Sequence, residues 1–114
     1  MERKLDARYY VNSYDKETDI YSNKENTLLL VIDEQPKLMN TMENGEQSVL
    51  NTLVLIEAFK EYGMSVLATE QYPKGLGRSD DRLLEAIEED KIFDKSIFDA
   101  AIPEVIDYIK ENNI

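Results

Sequence analysis

The feature that most limits the fold of this chain is an uninterrupted run of five large aliphatic residues, Leu28–Ile32. A strand with one face in water alternates apolar and polar residues, whereas a strand covered on both faces is apolar throughout. The run ends at Asp33. It therefore predicts a strand at the centre of a parallel sheet, with a carboxylate at its carboxyl end.

A helix and a second strand follow this run. Residues 49–62 are too long for a strand, and their charged side chains fall on one side of a helical projection. Four apolar residues gather elsewhere on that projection: Leu55, Ala58, Phe59 and Tyr62. This is helical spacing, and Gly63 ends the helix as its C′ residue. Residues 64–69 are apolar again, which completes one strand–helix–strand unit with the usual right-handed crossover.

The remaining sequence predicts two more helices and one short strand. These elements are a helix over residues 80–90, a strand over residues 91–95 and a helix over residues 100–112. Ser79 or Asp80 is the expected cap of the first of these helices. Asp99 is the expected cap of the last one, in which Pro103 falls in the first turn. The order β-α-β-α-β-α predicts an α/β fold with a parallel, three-layer, Rossmann-like sheet.

Residues 1–26 differ in composition from the rest. They hold four of the seven tyrosines, many turn-forming residues and few aliphatic ones. We interpret them as an N-terminal arm in which Tyr9, Tyr10 and Val11 form a short strand. Residues 27–114 then form one domain.

Composition excludes several classes of function. The chain has no cysteine and no histidine, so it offers no disulfide, thiol nucleophile, histidine base or common transition-metal site. We expect no cofactor and no bound zinc. Its 24 acidic against 13 basic residues give a net charge of −11, which argues against nucleic acid or an anionic membrane as partner. The N-terminus lacks an export signal and no segment is long enough to span a membrane, so we expect a cytoplasmic protein.

Polar residues follow each predicted strand. In an open parallel sheet, ligands bind beyond the carboxyl ends of the strands. That edge receives Asp33 and Gln35 from the first strand, Gln71 from the second and Lys95 from the third. A carboxylate and an ammonium group that meet there form a proton-transfer site, or simply an ion pair that closes the sheet. Gln35 and Gln71 are the predicted substrate-binding residues.

Three segments, residues 26–42, 65–77 and 91–100, resemble the isochorismatase-like cysteine hydrolases in their order and spacing. The apolar strand ending in Asp33, followed by x-Gln, looks like the first motif of that family. The segment TEQYPKGLG looks like the branch that lacks the metal-binding cluster of nicotinamidases. Lys95-Ser96-Ile97-Phe98 fits the family's K-x-x-F motif.

The resemblance implies an Asp–Lys–Cys triad, with Asp33 as general acid/base and Lys95 as the group that orients it and favours the thiolate. No residue of this sequence matches the nucleophilic cysteine. We therefore expect the N-terminal portion of the family's domain, about three strands and three helices, inactive on its own. The expected partners are a small amide, imide or ester-like substrate in the completed protein, and a complementing C-terminal half or a second copy at the open edge of Leu28–Ile32. The alternatives are a non-catalytic regulatory or assembly module and, more remotely, a phosphoacceptor receiver domain.

Overall fold

The apolar run forms the first strand of a parallel sheet. The computed structural model describes residues 24–114, so the short strand predicted at Tyr9–Val11 and most of the predicted arm lie outside the described residues. The strands are β1 (Leu28–Ile32), β2 (Ser65–Gln71) and β3 (Ile92–Lys95). They lie in the order β1-β2-β3, with β2 parallel to both neighbours. The predicted α/β class and the parallel pairing are confirmed.

Among residues 24–114, five α-helices connect and follow the strands. They are α1 (Pro36–Met39), α2 (Gly45–Glu61), α3 (Pro73–Leu76), α4 (Asp81–Ala86) and α5 (Pro103–Glu111), with a 3-10 turn at Glu89–Lys91. The two four-residue helices occupy loops in which the sequence predicts no helix. Each begins with a proline at its first position, where the missing N–H costs no hydrogen bond.

The helices cover both faces of the sheet. On one face, α2 and α4 pack through Val49, Ile56 and Leu83 against Val31 and Ala68. On the other face, α5 packs against the sheet through an apolar cluster: Leu67, Phe93, Ile102, Val105 and Ile109. Two right-handed crossovers that advance in one direction leave their helices on one face. This accounts for α2 and α4 sharing one face, whereas α5 follows β3 and covers the other.

The long helix buries a different side from the predicted one. Leu55 and Tyr62 are exposed, whereas Val49 and Ile56 are buried. Because α2 carries apolar residues on nearly all sides, its spacing does not select one face. The position of β1 and β2 selects it.

Several helix ends differ from the predictions. The cap of α4 is Asp80, one of the two expected candidates, and its side chain accepts a hydrogen bond from the backbone N–H of Arg82. The predicted cap Asp99 is wrong, because Ile102 is the N-cap residue of α5 and Asp99 accepts instead from the Ala101 N–H. The helix predicted over residues 80–90 ends at residue 86, since the next residue turns to extended backbone and is buried in the core.

Replacing Ile56 by alanine tests which side of α2 carries the core. Ile56 is almost completely buried, so Ile56→Ala should lower the free energy of unfolding by about 2–5 kcal/mol through lost burial and a cavity. Val54→Ala, on the exposed side of the same helix, should change it by less than ~0.5 kcal/mol. Urea denaturation of both variants at low protein concentration measures the difference. Equal losses would contradict this packing.

Candidate functional site at the carboxyl edge of the sheet

Two residues at the carboxyl ends of neighbouring strands have left-handed backbone conformation. Asp33 follows β1 with φ +56°, and Tyr72 follows β2 with φ +40°. Such a conformation is uncommon for residues other than glycine, and it is a strained one for a bulky side chain. Strained residues persist where the surrounding structure holds them, and they concentrate at functional sites. The observed backbone therefore marks this edge as a candidate site.

Lys95 ends β3, and its side chain is fully buried. Its ammonium group donates to the Oδ2 atom of Asp33 at 2.8 Å and to the Oε1 atom of Gln71 at 2.6 Å. The carbonyl oxygens of Ile97 and Phe98 lie 3.0 and 3.1 Å from the same nitrogen. Four acceptors thus surround a group with three protons. The charge is enclosed and fixed in position.

The Asp33 carboxylate is held on both oxygens but keeps an open side. Its Oδ1 accepts from the hydroxyl of Thr69 at 2.8 Å while Oδ2 accepts from Lys95. Its side chain is 17% exposed, against 0% for Lys95. Each carboxylate oxygen has a second lone pair, so Asp33 is the member of the pair that a ligand can reach. The approach of Asp33 to Lys95 expected from the sequence is observed; their catalytic role stays a prediction.

Gln35 ties the loops after β1 and β2 together. Its Oε1 accepts from the backbone N–H of Gln71 at 2.6 Å, and its Nε2 donates to the carbonyls of Gln71 and Gly77 at 2.9 and 2.7 Å. The amide thus pairs with Gln71 as a neighbouring strand would. Gly77 has φ +77°, which glycine adopts without strain. Because Gln35 is fully buried, this geometry favours a positioning role over the substrate contact predicted for it.

The predicted substrate contact of Gln71 also stays a prediction. Its side-chain oxygen is already engaged by the Lys95 ammonium. Its backbone is engaged by Gln35. The structure therefore brings all four predicted site residues, Asp33, Gln35, Gln71 and Lys95, into one hydrogen-bonded group. Asp33 is the only carboxylic acid among the four.

A buried carboxylate that the sequence analysis did not select anchors the adjoining loop. Glu70 accepts from the backbone N–H and the hydroxyl of Ser79, both at 2.8 Å, and from Arg78 at 3.2 Å. Three donors compensate the burial of this charge. A signal was present in the sequence, because an acidic residue inside a mostly apolar strand needs partners nearby. The loop after β2 is thus fixed at both Glu70 and Gln71.

Glu34 is a second carboxylate that the sequence analysis left without a role. Its Oε2 accepts from the Thr52 hydroxyl of α2 at 2.8 Å, and its Oε1 is buried with no hydrogen-bond partner among residues 24–114. Burial raises the pKa of Glu34 above its ordinary value, the Thr52 hydrogen bond opposes this, and nearby Asp80 adds to it. Glu34, which directly follows Asp33 in the sequence, therefore keeps its proton more readily than an ordinary glutamate does.

Residues on either side of Lys95 do not join the site. Asp94 and Ser96 are exposed whereas Lys95 is buried, as strand alternation requires. A serine–lysine nucleophile at this point therefore has no structural support. Within the described part of the chain, no group of three or more acidic, histidine or cysteine side chains is arranged to hold a metal ion. No helix in that part is long and apolar enough to cross a membrane.

A cavity of about 240 Å³ lies at the opposite, amino-terminal edge of the sheet, with Lys60, Ser65, Lys91 and Tyr108 in its lining. We place the candidate site at the carboxyl edge nevertheless. The strained backbone and the convergent charged groups lie there, and these features point to function more specifically than a concave surface does.

Comparison with known proteins agrees with this geometry. Residues 27–114 match the isochorismatase domain. Isochorismatase family proteins 1A and 1B of Dictyostelium discoideum are 32% and 30% identical over 90 and 92 residues, which cover 76% and 78% of this chain. The solved structure of the MAR1 ribonuclease from Caenorhabditis elegans superposes with a TM-score of 0.72 and 34% identity over 78% of this chain.

The chain therefore belongs to the isochorismatase family. The matched regions cover 44% and 45% of the two Dictyostelium proteins and 47% of the solved structure. The chain thus spans about half the length of the relatives it matches.

Lys95→Met tests whether the buried ammonium group holds the site together. The change leaves Asp33 without its partner and two carbonyls without a donor, so the free energy of unfolding should fall by about 3 kcal/mol. Lys91→Met is the matched control, because Lys91 is partly exposed and lies 3.5 Å or more from its acidic partners. It should cost less than about 1 kcal/mol. Denaturation and hydrogen exchange of residues 96–99 measure both effects, and an unchanged exchange rate in Lys95→Met would contradict the anchoring.

Glu34→Gln tests the buried carboxylate through pH. Since the folded pKa of Glu34 is raised above 4.5, the native state retains a proton that the unfolded state releases. Ionisation of Glu34 therefore lowers stability as the pH rises from about 4.5 through the raised value. Glu34→Gln should be more stable than the wild type at pH 7, and this advantage should vanish near pH 4.5 and below.

Glu85→Gln, on the exposed side of α4, removes the same charge without the burial. Thermal melts between pH 4 and 7 compare the variants. A stability advantage for Glu34→Gln that grows on acidification would show that the sign is wrong.

Proposed function

We propose that this chain supplies the acid–base part of a hydrolase site that acts on a small amide, imide or ester-like substrate. The observation that carries the proposal is the enclosed Lys95 ammonium, 2.8 Å from a partly exposed Asp33 carboxylate. A fixed ammonium group that donates to Oδ2 keeps the Asp33 carboxylate in one orientation. Asp33 then accepts a proton from an attacking thiol and returns it to the leaving group.

The nucleophile in this proposal comes from outside these 114 residues, because they contain no cysteine. Lys95 does not replace it, since its ammonium is engaged by four acceptors. In the part of the chain that the structure describes, β1 pairs only with β2, and Ile32 is half exposed. A complementing polypeptide that adds a strand to β1 brings its thiol to the edge where Asp33 lies.

A non-catalytic regulatory or assembly module remains the second candidate, favoured by the same absence of a thiol. The ribonuclease activity for which the Caenorhabditis relative is named is not extended to this chain, because a net charge of −11 opposes binding of a phosphate backbone. The absence of cofactor and the cytoplasmic location expected from the sequence stay predictions.

Complementation in trans tests the proposed function. The chain is mixed with the separately expressed part of the Dictyostelium family protein 1A that lies outside its matched region, and hydrolysis of small amides, imides and esters is followed. We expect turnover only in the mixture. Asp33→Asn should lower it about 10²- to 10⁴-fold, and Lys91→Met should leave it unchanged.

Three outcomes separate the candidates. Turnover by this chain alone that Asp33→Asn abolishes would show that an external thiol is not required. A mixture that associates without hydrolysing any substrate would favour the non-catalytic module. Cleavage of RNA by the mixture, with no hydrolysis of small substrates, would overturn the substrate class.

A further inference from the structure

The outer side of α2 carries an apolar row that the domain core does not use. The row follows i, i+4 spacing over three turns and ends at the C-cap residue of the helix, and all of its members are exposed: Leu50, Val54, Ala58 and Tyr62. Val54 is 68% exposed and Tyr62 is 70% exposed. The core of the same helix is built by Val49 and Ile56 on the opposite side. The row is therefore not explained by packing within the described chain.

Such a row forms one of the i, i+4 ridges through which helices pack against each other. Residues four apart line up along the helix, and two helices with such ridges interlock at about −50°. Contiguous exposed apolar surface on a helix marks an interaction site. Leu50 lies four residues before Val54, and Ala58 lies four residues after it. If two such helices cross antiparallel at Val54, the large Leu50 of one helix faces the small Ala58 of the other.

Charges beside the row distinguish the two ways in which α2 can pair with a copy of itself. The last turns carry Glu57 and Glu61, whereas the corresponding positions of the first turns are Gln47 and Asn51. Parallel pairing places like acidic residues together, which is unfavourable. Antiparallel pairing places each acidic end against amide side chains and the positive end of the partner helix dipole.

The first turn of α2 carries little uncompensated negative charge. Its one acidic residue, Glu46, receives two hydrogen bonds from Arg82 at 2.8 and 2.9 Å. These bonds lower the pKa of Glu46 below its ordinary value. The amino end of the helix is thus complementary to the acidic carboxyl end of a second copy.

We propose that the outer row of α2 is the interface of a two-fold symmetric dimer in which two copies of α2 cross antiparallel at Val54. Leu50 of each copy then packs on Ala58 of the other, and Glu57 lies near Asn51. In a two-fold symmetric dimer both copies use the same surface, so each contact between different residues occurs twice. One helical row is smaller than a standard interface, so the expected dissociation constant lies between about 1 μM and 1 mM. The proposal does not depend on the catalytic role of Asp33.

Sedimentation velocity of the full chain up to ~1 mM tests the interface. Val54→Glu places two like charges at the two-fold axis and should weaken the dimer at least ~10-fold. Met42→Glu, at a comparably exposed apolar residue outside α2, should leave it unchanged. Circular dichroism checks that both variants remain folded.

Asn51→Lys tests the antiparallel direction. It brings two ammonium groups to the acidic residues of the opposite copy, so the dimer should tighten about 2- to 10-fold at low salt and lose this gain as salt is added. In a parallel dimer the same lysines face each other and weaken association.

The proposal is overturned by a wild-type chain that stays monomeric throughout this range. It is also overturned by a dimer that Val54→Glu does not affect, which would place association elsewhere, such as the open edge of β1. Weakening by Asn51→Lys would retain the helix but overturn the antiparallel arrangement.

Discussion

The ammonium group of Lys95 is buried at the end of β3, and the organisation of this sheet edge follows from the need to compensate its charge. An unpaired buried charge costs several kcal/mol, so the chain brings four oxygen atoms to one nitrogen. Two of these belong to Asp33, which follows β1, and to Gln71, which ends β2. The other two are carbonyls of the loop after β3, which is thereby folded back over the charge. The left-handed conformation of Asp33 belongs to the same arrangement.

Two further buried side chains, Gln35 and Glu70, fix the loops around Asp33 and Lys95. Gln35 spans from the loop after β1 to the backbone of Gln71 and Gly77. Glu70 fastens Ser79, so that the loop after β2 is tied at its start and at its end. A site whose supporting groups are themselves hydrogen-bonded is held in one geometry before any ligand arrives. Asp33, the partly exposed member, is then the charged group of this pair that a ligand can reach.

The helices cover both faces of the sheet, with α2 and α4 on one face and α5 on the other. In open parallel sheets, ligands bind beyond the carboxyl ends of the strands. The position of Asp33 directly after β1 agrees with that rule. The outer row of α2 is a separate surface from the open edge of β1, and the two surfaces have different chemistry: side chains at the row and backbone groups at the edge.

The sequence by itself determined the strands, their parallel orientation and the meeting of Asp33 with Lys95. These follow from local signals, since an apolar run specifies a strand and parallel strands share a carboxyl edge. It also limited the cap of α4 to Ser79 or Asp80 and placed Gly63 at a helix end, because capping depends on neighbouring residues.

Tertiary structure decided the rest. The buried side of α2 and the partners of Gln35 depend on residues far away in sequence. A helix that is apolar on several sides takes its inner face from the sheet that it meets, and a buried polar group takes its role from the donors that folding brings within about 3 Å.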